Sequence, residues 1–245
     1  GADIFSFASG SVLDLVSLGN IPGRIDGQGD TDTIDYSAFT AAEPVVVNLQ
    51  SGSATAVLNA NIANVGGIMN IENATGGEAD DTFISDVFNN LFRGNGGDDT
   101  YRFDDFWGLD TIFNIDPGLN DLLDFSTVTL MLTVTLGSIL VQAGSASVTH
   151  SGDDIEGLLL GKNDDTVIFG DGVSFAGGAG SIDGHEGVNT LDYAAYTTSV
   201  NVNLGAGTAT GTSGVSNFQN IIGGSGDDNL TGDSQDNVIR SNGGS

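Results

Sequence analysis

Apolar residues along this chain follow a two-residue period in short stretches. The segments VVVNL at 45–49, LTVTL at 132–136 and VNVNL at 200–204 alternate in this way, which predicts half-buried β-strands. Each is followed by a small-residue turn and a further short strand: SGSATAV, AGSASVTH and GAGTATG. Gly, Asn and Asp bound every stretch, as strand-breaking turn residues do. The apolar residues at 84–92 are too interrupted to make a helix, and no capped helical segment is expected. Pro22, Pro44 and Pro117 fall in predicted loops. The pattern therefore predicts an all-β chain.

The chain repeats itself. IDGQGDTDTIDYSAFT at 25–40 returns as IDGHEGVNTLDYAAYT at 182–197, an offset of 157. GGEADDTFISDVFNNLFRGNGGD at 76–98 returns as GGSGDDNLTGDSQDNVIRSNGGS at 223–245, an offset of 147. One continuous repeat solenoid of about one and a half modules is expected, because repetition with β-strands implies stacked units. Its predicted parts are 1–24, the end of a preceding repeat, 25–181, a full module, and 182–245, the start of the next. On this reading the chain is a piece of a longer tandem array.

Composition sharpens the picture. There are 33 Asp plus Glu against 5 Lys plus Arg, a net charge of −28, and no cysteine. Such a charge excludes nucleic acid as a partner, since phosphate contacts need clustered basic residues. No apolar run approaches the ~18 residues of a spanning helix, so membrane insertion is not expected. Without cysteine there is neither a disulfide framework nor a thiolate metal site. The acid is almost all aspartate, and aspartate with glycine makes turns.

Those turns follow a nine-residue unit, G-G-x-G-x-D-x-U-x, in which U is large and apolar. The clearest copy is GGSGDDNLT at 223–231, followed without a gap by GDSQDNVIR at 232–240. The first module gives GGEADDTFI at 76–84, SDVFNNLFR at 85–93 and GNGGDDTYR at 94–102. Looser copies lie at 27–35, 105–113, 160–168 and 184–192. The sixth position reads Asp32, Asp81, Asn90, Asp99, Asp110, Asp165, Asn189, Asp228 and Asn237.

Glycine permits tight turns that expose backbone carbonyls, the aspartate adds carboxylate oxygens, and x-U-x makes a three-residue strand with its middle side chain inward. Two units make one coil, so motif n stacks on motif n+2 and Asp81 faces Asp99. Carboxylates stacked at the ~4.8 Å strand spacing repel unless a cation lies between them. An all-oxygen cage suits calcium, whereas zinc would need His or Cys and the chain has only His150 and His185. The candidate ligands are therefore the sixth-position residues, Asn189 excepted, with the preceding Asp80, Asp98 and Asp227. Gly76, Gly77, Gly94, Gly97, Gly223, Gly224 and Gly226 complete the set through their carbonyls.

The runs at 76–102 and 223–240 resemble the hemolysin-type calcium-binding repeats of the RTX family. The longer module is similar to repeats of very large bacterial surface or secreted proteins. The resemblance implies a right-handed parallel β-roll, here a β-solenoid with longer β-rungs between nonapeptide turns. It also implies Ca2+ in the turns and secretion, unfolded, from a calcium-poor cytosol. The expected role is an extracellular, adhesin-like structural segment, with calcium ions and neighbouring repeats as partners and a surface glycan or protein as the object of adhesion. The chain departs from the repeat at Asn90, Asn189 and Asn237, and at Ala79, Phe88 and Gln235, which take a glycine position.

Two other classes are open. One is a self-assembling filament, joined through unpaired end strands. The other is a carbohydrate-active or carbohydrate-binding β-helix, marked by a cleft with carboxylates and Trp107. Most of the Asp-Asp pairs (80–81, 98–99, 104–105, 153–154, 164–165, 227–228) sit within the repeat, where a catalytic pair would be unique to one spot, so no enzyme is expected. Phe103, Phe106, Trp107 and Phe113 are expected to cap a rung or fill the core. Both histidines are expected at the polar surface, Arg93 and Arg240 beside turn carboxylates, and Asp35, Asp124 and Asp192 as caps or as partners of a neighbouring rung.

Overall fold

Three-residue strands joined by tight turns build most of the computed structural model. It describes residues 1–11, 13–15, 24–55, 57–59, 67–114, 120–152 and 154–244. Pro22, Pro117 and Asp153 lie outside the described residues. Within them there are strands and two short 3-10 segments but no α-helix, and no helix is long and apolar enough to cross a membrane. The chain forms two compact units, Gly1–Asp121 and Leu122–Ser245.

In the first unit, one row of parallel strands runs Ile4–Ala8, Thr33–Ala38, Asn73–Thr75, Leu91–Arg93 and Leu109–Ile112. A second row holds Val46–Asn48, Thr82–Ile84 and Thr100–Arg102, also parallel. From residue 73 to 112 the chain alternates between the rows, one strand per nonapeptide. Leu91 therefore pairs with Asn73 and Thr100 with Thr82, the coil of two nonapeptides. Longer rungs widen the step: Thr33 pairs with Asn73.

The second unit repeats the plan. Thr133–Leu136, Thr166–Phe169, Thr190–Asp192, Asn220–Ile222 and Val238–Arg240 form one parallel row. Leu122–Asp124, Gly157–Leu159, Ser181–Asp183 and Gly214–Ser216 form another, and Asn201–Asn203 pairs in parallel with Asn229–Thr231. The architecture is all-β, solenoid-like and mainly parallel.

It is not wholly parallel. Thr133–Leu136, Ile139–Ala143 and Ala146–His150 form an antiparallel meander. The reason lies in its two-residue turns: Gly137 at φ 126° and Gly144 at φ 61° take backbone conformations that favour reversal. Val46–Asn48 with Ser53–Ala54, and Asn201–Asn203 with Thr208–Ala209, reverse likewise.

In most of the short strands the middle residue joins the core. Ile34, Phe83, Phe92, Tyr101, Val167, Leu191 and Ile221 are fully buried. Their rings stack along the coil: Phe83 lies 5.5 Å from both Phe92 and Tyr101. Phe7 on Tyr36 in the first unit matches Phe169 on Tyr193 in the second, at 5.0 and 4.2 Å. Each ring is worth about 1.5–3 kcal/mol of burial, so large U residues drive the coil shut.

Several side chains differ from expectation. His150 ends a strand and is buried, because period-2 alternation turns it inward. Phe103 and Trp107 are buried, but Phe106 and Phe113 are exposed; the burial of Trp107 withdraws it as a sugar platform. Arg93 lies over the Phe113 ring, 4.1 Å from its centre, a cation–π contact in place of the expected carboxylate pair.

Candidate cation-binding turns

The sixth-position side chains are turned inward by the same alternation that buries the U residues. Asp32, Asp81, Asn90, Asp99, Asp110, Asp165 and Asn189 are buried, while Asp228 and Asn237 are half-buried. Each reaches back to the rung before it. The N–H of Asp81 donates to Asp99 Oδ1 at 2.8 Å, and that of Asp99 to Asp121 Oδ1 at 2.6 Å. Val45 N–H donates to Asp81 Oδ1 at 2.7 Å and Asn90 N–H to Asp110 Oδ1 at 2.9 Å. In the second unit, Leu132, Asp165 and Val200 donate to Asp165, Asn189 and Asp228. An unpaired buried N–H is costly, so an oxygen-bearing side chain is required here whatever else the turn holds.

The residue before it reaches forward. Asp98 N–H donates to Asp80 Oδ1 at 2.8 Å, Asn120 N–H to Asp98 Oδ1 at 3.0 Å, and Val188 N–H to Asp164 Oδ1 at 2.8 Å. An Asp-Asp pair thus clamps the rungs on both sides. Asp80, Asp98 and Asp227 are exposed, and a carboxylate there keeps its water. Asp35, Asp124 and Asp192 cap locally, each accepting the N–H two residues on.

The second carboxylate oxygens separate the turns into two kinds. Asp81, Asp165 and Asp228 use Oδ2 to accept the N–H of Gly77, Gly161 and Gly224. Asp110 Oδ2 accepts from the Ser85 hydroxyl. Asp32 Oδ2 and Asp99 Oδ2 are buried with no hydrogen-bond partner, as is Tyr101 Oη. Glycine is forced at two of the first positions by this crowding: a β-carbon on Gly94 would overlap Asp99 Oδ2 and Tyr101 Oη, and one on Gly76 would overlap Asp81 Oδ2. Gly97, at φ 107°, and Gly226 pack against backbone of the rung before.

Asn90, Asn189 and Asn237 fill the carboxylate position with an amide. Asn90 Nδ2 donates to Glu72 O and Asp86 Oδ1, and Asn237 Nδ2 to Gln219 O and Asp233 Oδ1. Their turns are closed by their own hydrogen bonds.

Burial dominates the electrostatics. It pushes Asp81 and Asp165 up to about 6, Asp110 to about 7 and Asp99 to about 8. The charges of Asp81, Asp121 and Asp80 push Asp99 further the same way. Backbone hydrogen bonds oppose the shift at each site without cancelling it. These are acids that hold their negative charge poorly on their own.

Among the described residues, no three His, Cys, Asp or Glu side chains converge on one point as a metal would need. A cation in these turns would therefore be held by one or two carboxylates, with backbone carbonyls supplying the rest. That donor set is hard oxygen throughout and fits calcium. Asp32 and Asp99 present a buried oxygen with no partner, and so fit best. Each oxygen carries two lone pairs, so Asp81, Asp165 and Asp228 retain acceptor capacity beside their N–H bonds.

Four residues of these columns escape the nonapeptide pattern. Glu72 Oε2 accepts Asp32 N–H at 2.8 Å and Gln219 Oε1 accepts Asn189 N–H at 2.7 Å, a longer side chain doing the work of aspartate. Asp121 extends the column of Asp81 and Asp99, and Asn114 donates to it. The repeat offset pairs Glu72 with Gln219, which is the signal that could have found them.

No family model matches the chain, and no curated protein matches it.

Proposed function

We propose that this chain is a calcium-stabilised structural segment of an extracellular, adhesin-like bacterial protein, built as a right-handed β-roll of the RTX type with longer rungs. The observation that carries the reading is the column Asp81, Asp99, Asp121. It consists of three buried carboxylates linked rung to rung by hydrogen bonds. Such a column is self-repelling when ionised, and a divalent cation converts the repulsion into a bridge. A cation that binds the coiled state and not the extended chain makes stability rise with calcium activity. Each loaded rung then supports the next along a quasi-one-dimensional array. A segment whose rungs loosen without calcium and stiffen with it suits a spacer in an adhesin stalk or matrix fibre.

The test is a direct count of bound ions by native mass spectrometry, with calorimetric titration of calcium and of magnesium. Several calcium ions and weaker magnesium binding are expected. A chain that binds no calcium would remove the proposal.

A further inference from the structure

One turn occurs in both units with the same frame and different chemistry at its centre. In the first unit it runs from Asp26 to Asp32 and meets Asn70 and Glu72. In the second it runs from Asp183 to Asn189 and meets Asn217 and Gln219. Gln28 and His185 each donate their N–H to the carboxylate two residues before, at 2.9 Å. Asn70 Nδ2 and Asn217 Nδ2 donate to the same carboxylates at 2.8 and 2.6 Å. Gln28 and His185, and Asn70 and Asn217, share left-handed backbone conformations. The frame is therefore an internal control for what it encloses.

In the second unit it encloses an amide. Asn189 Nδ2 donates to Gly184 O at 2.7 Å, Glu186 O at 3.0 Å and Asn217 O at 3.0 Å. Its Oδ1 accepts the N–H of Asp165 at 2.9 Å, which sets the amide's orientation. Three carbonyls thus point at one polar hydrogen-bearing group.

In the first unit the counterpart of that nitrogen is Asp32 Oδ2. Asp32 is 0% exposed, and its Oδ1 accepts Asp3 N–H at 2.6 Å. Its Oδ2 has no hydrogen-bond partner. A β-carbon on Gly27 would overlap both Asp32 Oδ2 and Asn70 O, so the two oxygens converge on one point. A carboxylate cannot donate to carbonyls, and a buried polar oxygen without a partner is costly. Beside it Glu72 stands where the second unit has Gln219. The first unit therefore places two acids where the second places two amides.

We propose that the Asn189 amide is a resident substitute for a cation. The turn at 184–189 closes without metal, while its counterpart at Asp32 and Glu72 holds a calcium ion in the same seat. This rests on the calcium reading above, and adds that matched turns in the two units differ in loading. The second-unit turn then stays closed when calcium is withdrawn.

The test exchanges the two chemistries in the full chain. Asp32→Asn with Glu72→Gln should bind one calcium ion fewer than wild type in native mass spectrometry, and melt higher in chelator. Asn189→Asp with Gln219→Glu should bind one more, and melt lower in chelator. Equal counts in all three proteins, with wild type binding calcium, would overturn this assignment alone. A wild type that binds none would overturn it together with the calcium reading. If the second pair fails to fold, the near-isosteric Asp32→Asn decides: a count lower by one supports the assignment and an unchanged count removes it.

Discussion

Asp81 donates its backbone N–H to Oδ1 of Asp99, a residue 18 positions further on, at 2.8 Å. One coil separates them, and the bond fixes the register of Thr82–Ile84 against Thr100–Arg102. The carboxylate at this position has two tasks. It must accept a buried N–H from the preceding rung, and it must carry a charge that burial disfavours. An asparagine does the first without the second.

That division predicts opposite effects of two changes at Asp99. Asp99→Ala leaves the Asp81 N–H unpaired and should cost about 1–3 kcal/mol in chelator. Asp99→Asn keeps an acceptor and removes the buried charge, so it should be at least as stable as wild type in chelator and gain less from calcium. Denaturant unfolding with and without calcium measures both; equal losses for the two variants would refute the division of labour.

The raised carboxyl values give a pH dependence of definite sign. Burial holds Asp81 and Asp165 at about 6, Asp110 at about 7 and Asp99 at about 8 in the folded chain. The folded state therefore keeps protons that the unfolded chain, with carboxyls near about 4, has released. Stability in chelator should be fully present below about pH 4 and fall as pH rises toward about 8. Calcium should flatten or reverse that slope. Melting curves across this range decide it, and a melting temperature that rises with pH in chelator would contradict the assignment.

Gly94 is constrained by the turn it opens. Gly94→Ala should cost about 1–3 kcal/mol through overpacking against Asp99 and Tyr101. Gly29→Ala, where a β-carbon meets nothing within 4 Å, should be close to neutral. Similar losses at both positions would show that the crowding is not real.

The ring column should dominate local stability. Phe92 is 0% exposed, whereas Ile239, its counterpart in the other unit, is 42% exposed. Phe92→Ala should cost about 3–5 kcal/mol, and Ile239→Ala less than about 1 kcal/mol. Chemical denaturation of the two variants provides the comparison.

Strand position was legible because its signals are local. The stretches at 45–49, 132–136 and 200–204 become Val46–Asn48, Thr133–Leu136 and Asn201–Asn203, and the x-U-x triplets become three-residue strands. The face-to-face placement of Asp81 and Asp99 follows from counting alone. What was not legible depends on neighbours distant in sequence. Glu72 and Gln219 join the columns because each immediately precedes its strand, Asn73–Thr75 or Asn220–Ile222, at the end of a rung that no nonapeptide copy covers. The reversal at Gly137 and Gly144 looks, in sequence, like any other turn between rungs. The placement of Arg93 over Phe113 needs the register of two strands, Leu91–Arg93 and Leu109–Ile112, that spacing alone leaves open. The amide seat of Asn189 is visible only when its three carbonyls are placed in space.

The most direct test of the account is the dependence of unfolding free energy on calcium concentration. If calcium is a ligand of the coil alone, stability should rise linearly with the logarithm of free calcium, with a slope reporting several ions released on unfolding. Magnesium at equal concentration should give a smaller slope. A stability that stays constant from chelator to excess calcium would contradict the account.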